Sequence, residues 1–218
     1  ARLVSELKAH YAVRAVFLVS SGKAALTVIL KALSVASKRR RVIIPAYTCF
    51  SVPSAIVKAG LEVVLCDVDP NTLDFKLAEL EGLLNEHVLC VVSTHLFGRP
   101  ADTARVKQLC MGKGILVVED AAQAMGGQSG DRLLGTIGDV GFYSLGRGKN
   151  MTCGTGGIIL TSSAPIAEAI EAEYASLPEA SWLDVVRNWL ELLVMRIFIH
   201  PALYWFPAGL PFLGLGET

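Results

Sequence analysis

The sequence predicts an α/β domain of three layers, with helices covering both faces of a seven-stranded, mainly parallel sheet whose last strand runs antiparallel. Three features carry that prediction. Short β-branched runs alternate with segments of helical length through the first two-thirds of the chain, and a parallel crossover needs a dozen or more residues. The runs are continuously apolar, as in strands buried on both sides. The last two runs stand too close together for a helical crossover.

In chain order, AVFLV (15–19) leads into GKAALTVILKALSV (22–35), and RVIIP (41–45) into SVPSAIVKAG (51–60). EVVLCDV (62–68) is followed by LDFKLAELEGLLNE (73–86), and VLCVVST (88–94) by ADTARVKQLCMGKG (101–114). ILVVED (115–120) and VGFYS (140–144) are the fifth and sixth runs, GGIILTS (156–162) the seventh. About a dozen residues without apolar periodicity join the last two, which sets the seventh antiparallel. Beyond 164 the pattern turns helical, through PIAEAIEAEYASL and SWLDVVRNWLELLVMRIFI, before a proline-punctuated apolar tail. The expected division is 1–164 for the sheet domain and 165–218 for a helical, apolar connection.

Lysine plus arginine and aspartate plus glutamate each number 20, so no broad basic field exists to hold a nucleic-acid backbone. The basic run KRRR (38–41) leads into an apolar strand and reads as a solvated loop. Hydrophobic residues make up 52% against 18% charged, which points to surface covered by a partner or a further segment. The cysteines at 49, 66, 90, 110 and 153 are odd in number and lack metal-site spacing, so no metal and no disulfide framework is expected. A reducing, cytoplasmic setting fits. No signal peptide is visible in the opening ARLVSELKAHY, and a segment lost upstream stays open.

In an open α/β sheet ligands sit beyond the carboxyl ends of the strands, which makes the residues after each run the candidates. SSGK after the first run opens a helix whose free N–H groups and dipole form an anion site at Gly22 and Lys23. The second run leads to Cys49, the fourth to His95, the fifth to Asp120 and Gln123, the sixth to Ser144, Lys149 and Asn150. Each has an ordinary reading too. Lys149 suits a solubilising loop, Asp120 and Glu119 a cap or turn, Gln123 a helix surface, Asn150 a turn, and His95 a core satisfied by backbone.

Nucleotide motifs fail on spacing. A P-loop needs G-x-x-x-x-G-K-[ST], but Phe17 and Tyr143 occupy the first glycine position and Ala24 and Asn150 follow the two lysines. No G-x-G-x-x-G follows the first run. A strand-end carboxylate with a lysine in a later loop has another use. Pyridoxal phosphate is held as a Schiff base by a lysine, its ring nitrogen pairs with an aspartate, and its phosphate takes helix-terminal N–H groups and hydroxyls.

Six motifs stand in collinear order between about Val13 and Ser162: SSGKAAL, PAYTCFSVPSAIVKAGLEVVLCDVDPNTLDF, THLFGRPAD, VVEDAAQAMGG, GTIGDVGFYS, and GKN followed by GTGG. Together they resemble the DegT/DnrJ/EryC1/StrS family, the sugar aminotransferases of pyridoxal-phosphate fold type I. The resemblance implies the large domain of that fold and pyridoxal 5′-phosphate as cofactor. It also implies glutamate or glutamine as amino donor, a nucleotide-linked keto-sugar as acceptor, and a homodimer with shared sites. Lys149, five residues after Ser144 as in the family, becomes the Schiff-base lysine and general acid–base, and Asp120 the partner of the ring nitrogen. Gln123 matches the contact to the ring's phenolic oxygen. Ser144 and the N–H groups after Gly22 hold the phosphate, His95 lines the pocket, and Asn150 flanks the lysine. The presence of Lys149 speaks against the dehydratase relatives that carry histidine there.

Three residues depart from the family pattern. Lys23 stands where threonine is usual and either reaches the phosphate as a point charge or points to solvent. Cys49 replaces the aromatic that stacks on the ring, leaving stacking to Phe50, to the sulfur, or to nothing. Thr155 replaces the acidic residue of the usual GEGG. The family's small domain is expected to follow residues 165–218. Residues 197–216 carry no formal charge, yet Pro201, Pro207 and Pro211 with Gly209 spoil a spanning helix. Burial against that domain or a second subunit is the expectation there, interfacial membrane contact the alternative. Three functional classes follow: a sugar aminotransferase, a protein that binds the cofactor without turnover, and a membrane-surface scaffold.

Overall fold

Alternate residues of the central strands enter two different apolar layers. In β2 (Arg41–Pro45), Val42 and Ile44 join one buried cluster and Ile43 the other. The same alternation separates Cys90 and Val92 from Val91 in β4 (Val88–Thr94), and Val118 from Val117 in β5 (Leu116–Asp120). A strand with period-two geometry and no polar face must be covered on both sides, which is the physical origin of the three layers.

The computed structural model describes residues 2–179, 181–198, 200 and 203. The remaining strands of the main sheet are β1 (Ala15–Val19), β3 (Glu62–Cys66), β8 (Val140–Ser144) and β9 (Gly157–Thr161), in the order β1-β9-β8-β5-β4-β2-β3. The pairs β3–β2, β2–β4, β4–β5 and β5–β8 are parallel, whereas β9 is antiparallel to both β8 and β1. All seven expected strands are present and the last is the antiparallel one, as its short connection required. Helices α2 (Gly22–Val35) and α3 (Ser51–Lys58) cover one face with Leu26, Ile29, Leu30 and Ile56. Helices α4 (Leu77–Leu83) and α5 (Thr103–Cys110) cover the other with Leu80, Val106 and Cys110.

Some elements depart from the sequence expectation. Helix α1 (Arg2–Tyr11) was not anticipated, although Val4, Leu7 and Tyr11 have helical spacing; they pack against the layer that holds Leu134 and Tyr143. The two-residue strands β6 (Gln128–Ser129) and β7 (Arg132–Leu133) form a small hairpin too short to leave a pattern. Helix α4 begins only at Leu77, because Leu73 is left-handed at φ 62° and the Asp74 carboxylate accepts the Phe75 N–H at 2.7 Å.

Helix α6 (Ala164–Ala175) folds back onto α2. Ile166 and Ile170 are buried there, Glu173 pairs with Lys31 at 3.2 Å, and the Tyr174 hydroxyl donates to the Leu18 carbonyl at 2.9 Å. The compact unit therefore runs to Leu177, past the boundary at 164 that the sequence pattern suggests. A second unit begins at Pro178 and contains α7 (Trp182–Phe198), none of whose residues is buried. Apart from 197, 198, 200 and 203, the apolar tail 197–216 lies outside the described residues. Among the described residues, no helix is long and apolar enough to cross a membrane.

Ile29 is fully buried between α2 and the sheet. Ile29→Ala should cost about 2–5 kcal/mol in urea denaturation, whereas Val57→Ala, at a position 67% exposed, should stay within about 0.5 kcal/mol.

Candidate active site

The chain winds outward from β2 to β3, then reverses through β4, β5 and β8, so a crevice opens beyond the carboxyl ends near β2 and β4. A cavity of about 250 Å³ occupies that edge. Its walls come from the first turn of α2 and from the residues that end or follow β2, β4, β5 and β8.

The anion cradle is built by close packing. Ser21 caps α2, its Oγ accepting the Ala24 N–H at 3.1 Å, and the N–H groups of Gly22 and Lys23 have no partner within the helix. A Cβ on Gly22 would stand 2.7 Å from the Ser144 Cβ, so only glycine lets the helix N-terminus abut the end of β8. Gly157 is held as tightly, since its Cβ would lie 2.4 Å from the Ser21 carbonyl oxygen. Ser144 Oγ accepts the Gly146 N–H at 3.3 Å. Thr155 has a structural use: its hydroxyl donates to the Ser20 carbonyl at 2.6 Å and pins the 145–156 loop to the turn that opens α2. Lys23 lines the cavity while exposed, and thus sits at its rim.

Two consecutive carboxylates end β5 in contrasting environments. Asp120 lines the cavity, is buried, and its Oδ1 accepts the Ala122 N–H at 3.0 Å. Burial pushes its carboxyl up to about 6, against the opposing pull of that N–H and of the positive charge on Lys149. Lys149 is half-buried and lines the same cavity. Glu119 is not the cap or turn residue that the sequence suggested. Its Oε1 meets His95 Nε2 at 2.7 Å and the Gly135 N–H at 2.6 Å, and its Oε2 accepts from Ile137 and Gly138 at 2.7 and 2.8 Å. Burial alone would raise the Glu119 carboxyl, but the bonds from His95, Gly135 and Gly138 outweigh it and hold the group below its ordinary value.

His95 lines the cavity and is also satisfied in the core, with Nδ1 accepting the Ala101 N–H at 2.9 Å. That bond leaves Nδ1 without a proton, so Nε2 is the nitrogen that donates to Glu119. Gln123 is oriented in the same way. Its Oε1 takes the Phe97 N–H at 2.9 Å, which leaves the Nε2 donors for a ligand. Cys49 lines the cavity and its sulfur accepts the Ser51 hydroxyl at 3.1 Å, whereas Phe50 points away from cover, 83% exposed. Asn150 does not line the cavity; its amide donates to the Met125 carbonyl and serves the turn.

Two residues escaped the sequence reading. The hydroxyls of Thr48 and Thr94 are buried without a hydrogen-bond partner, and both residues line the cavity. They directly precede Cys49 and His95, so position after a strand was the available signal. Leaving such a group unpaired costs about 1–3 kcal/mol, which marks the cavity as built for a polar guest. A helix N-terminus, lysines at rim and wall, a buried carboxylate and two waiting hydroxyls fit a phosphorylated pyridine aldehyde.

A mostly parallel seven-stranded sheet flanked by helices, with this site beyond its carboxyl edge, matches the large domain of fold type I aminotransferases. The chain belongs to the DegT/DnrJ/EryC1/StrS aminotransferase family, which it matches over residues 1–176. It is 32% identical over 148 residues to a UDP-N-acetyl-3-dehydro-alpha-D-glucosamine 3-aminotransferase of Acidithiobacillus ferrooxidans, covering 67% of this chain and 40% of that one. It is 33% identical over 152 residues to an L-glutamine:2-deoxy-scyllo-inosose aminotransferase of Streptomyces kanamyceticus, covering 70% and 35%. In structure it resembles the Helicobacter pylori aminotransferase PseC, involved in pseudoaminic acid biosynthesis, with a TM-score of 0.74 at 19% identity over 83% of this chain and 49% of that one. The chain thus spans less than half the length of these relatives.

The two Asp120 environments give a pH test. The folded chain holds the Asp120 proton up to about pH 6, while the unfolded chain releases it near 3.8. Folded protein binds more protons in between, so this group's contribution to stability falls as pH rises from about 4 to 6 and stays low above. Ligand-free Asp120→Asn should therefore be the more stable protein at pH 7–8, by up to about 3 kcal/mol at ~1.4 kcal/mol per pKa unit. Urea denaturation at several pH values should find that advantage vanishing near pH 4.

Proposed function

We propose that this protein serves as a pyridoxal-phosphate-dependent aminotransferase that moves an amino group from glutamate or glutamine to a nucleotide-linked keto-sugar. The observation that carries the reading is the convergence of Lys149 and buried Asp120 on one cavity that also holds the α2 N-terminus and two unpartnered threonine hydroxyls. When bound, the cofactor supplies an aldehyde that condenses with amines and a ring that draws electrons from the attached carbon.

The chain's own residues divide the remaining work. Above pH 6 the Asp120 carboxylate is ionised, and a negative charge in so dry a place holds a proton on a ring nitrogen beside it. Lys149 Nζ is the amine available to bind the cofactor and to move a proton at the reacting carbon. Ser144 Oγ and the first N–H groups of α2 bind the phosphate, and Lys23 adds charge at the rim. Gln123 Nε2 donates to the ring oxygen, and His95, fixed by Glu119 and Ala101, is a rigid wall. Cys49 offers sulfur where relatives place an aromatic ring.

The acceptor class rests on the relatives, whose names specify a keto-sugar nucleotide and a keto-cyclitol. A homodimer is part of the reading. Tyr47, Phe50, Phe97 and Met151 are exposed apolar residues at or near the residues that line the cavity, a rim suited to a second subunit. Five free thiols agree with a cytoplasmic setting.

Borohydride reduction after incubation with pyridoxal phosphate, followed by tryptic mapping, should place the pyridoxyl group on Lys149. Lys149→Ala should lose the adduct with its far-UV spectrum unchanged, because a half-buried turn lysine contributes little packing. An adduct on Lys23, Lys107 or Lys113 instead would overturn the assignment. Amino transfer from glutamate to a keto-sugar separates the enzyme from a protein that only binds the cofactor.

A further inference from the structure

Part of the cavity wall is one row of side chains across three strands. In the β4–β5 pairing Thr94 stands opposite Asp120, and in the β5–β8 pairing Asp120 stands opposite Phe142. Register partners in a parallel sheet leave the same face, so the three side chains lie side by side, and all of them line the cavity. The backbone ties the three strand ends together. The His95 N–H donates to the Asp120 carbonyl at 3.0 Å, and the Ala121 N–H donates to the Phe142 carbonyl at 3.0 Å.

Within that row a donor and an acceptor stand next to each other unused. Thr94 is 8% exposed and its hydroxyl has no hydrogen-bond partner. The Asp120 carboxylate accepts one hydrogen bond, from the Ala122 N–H to Oδ1, which leaves Oδ2 open. Polar atoms on the neighbouring walls are engaged, since the His95 nitrogens serve Ala101 and Glu119 and Gln123 Oε1 holds the Phe97 N–H. Thr48, the other unpaired hydroxyl, follows β2 and stands outside this row.

We propose that Thr94 is a positioning residue for Asp120: when a cationic ring stands against the carboxylate, the Thr94 hydroxyl donates to Oδ2 and holds the group ionised. The inference rests on the proposed function, which puts a ring nitrogen beside Asp120. A threonine hydroxyl changes neighbour by turning about Cα–Cβ between staggered positions, with no movement of the backbone. Charge decides where it turns. Burial makes an ionised Asp120 costly in the ligand-free protein. A bound cation settles the carboxylate in that form, and a hydrogen bond to an ionised acceptor is roughly twice as strong as one to a neutral group. Thr94 thereby strengthens the hold of Asp120 on a protonated ring and leaves its hold on a neutral ring unimproved.

Binding of pyridoxine 5′-phosphate, which has the ring and the phosphate but no aldehyde, reads this contact apart from the chemistry of Lys149. At neutral pH Thr94→Val should weaken binding about ten- to a hundredfold, the size of a lost hydrogen bond to a charged group. Thr94→Ser should bind as the unaltered chain does. In an Asp120→Asn background the Thr94→Val change should cost much less, because no ionised acceptor is left for the hydroxyl. Ligand-free Thr94→Val, at about pH 5 where Asp120 keeps most of its proton, should unfold at an equal or higher urea concentration than the unaltered chain, since a methyl replaces an unpaired buried hydroxyl of the same shape. A lower urea midpoint would overturn the proposal, because the hydroxyl would then be paired within the fold. So would unchanged affinity in Thr94→Val, or a loss of affinity just as large without the Asp120 carboxylate. Those three results leave the Lys149 adduct and the proposed function standing. A chain that takes up neither pyridoxine phosphate nor pyridoxal phosphate overturns both.

Discussion

One buried carboxylate holds the cavity edge of the sheet together. Glu119 receives hydrogen bonds from His95 and from the backbone of Gly135, Ile137 and Gly138, about as many as a carboxylate can accept. Through them it joins the ends of β4 and β5 to the loop that leads into β8, and β8 delivers Ser144 and then Lys149. Taking a carboxylate out of water is expensive, and only a full set of donors offsets it. The direction of its acidity records that balance: burial opposes ionisation and the donors win.

Asp120, the next residue, shows the opposite balance. Successive residues of a strand face opposite sides, so Glu119 turns into the donor-rich loop and Asp120 into the cavity. There a single backbone N–H answers it, burial wins, and its carboxyl rises to about 6. The unpartnered hydroxyls of Thr48 and Thr94 belong to the same pattern. The scaffold beneath the cavity is fully satisfied and its walls are not. Polar groups left short of partners in the ligand-free protein are where a bound guest gains affinity, and the stability they cost is the usual tension between an active site and its fold.

The layers of the fold were legible because doubly buried strands leave unmistakable runs such as VLCVVST, and the antiparallel last strand because its connection is too short to cross over. Helix α1 had its signal in Val4, Leu7 and Tyr11 but no partner in the sequence to explain it. That Gly22, Lys23, Cys49, His95, Asp120, Gln123, Ser144 and Lys149 line one cavity was legible from position after strands, since topology alone brings those points to one edge. Asn150 failed that logic because a turn can point its neighbour away. Glu119 looked like a cap because nothing local reveals that residues 135–138 will fold over it. Thr48, three residues past β2, and Thr94, at the end of β4, are ordinary threonines until burial removes water from their hydroxyls. The contrast between Glu119 and Asp120 is tertiary from the start.

The most direct test of Glu119 as the organising group is native-state hydrogen exchange of the Gly135, Ile137 and Gly138 amides. These amides lie in an irregular loop with no ladder to protect them, and the buried carboxylate is their hydrogen-bond acceptor. The account predicts exchange as slow as that of core amides such as Val117 and Val118. Exchange as fast as that of the exposed 129–132 turn would contradict it.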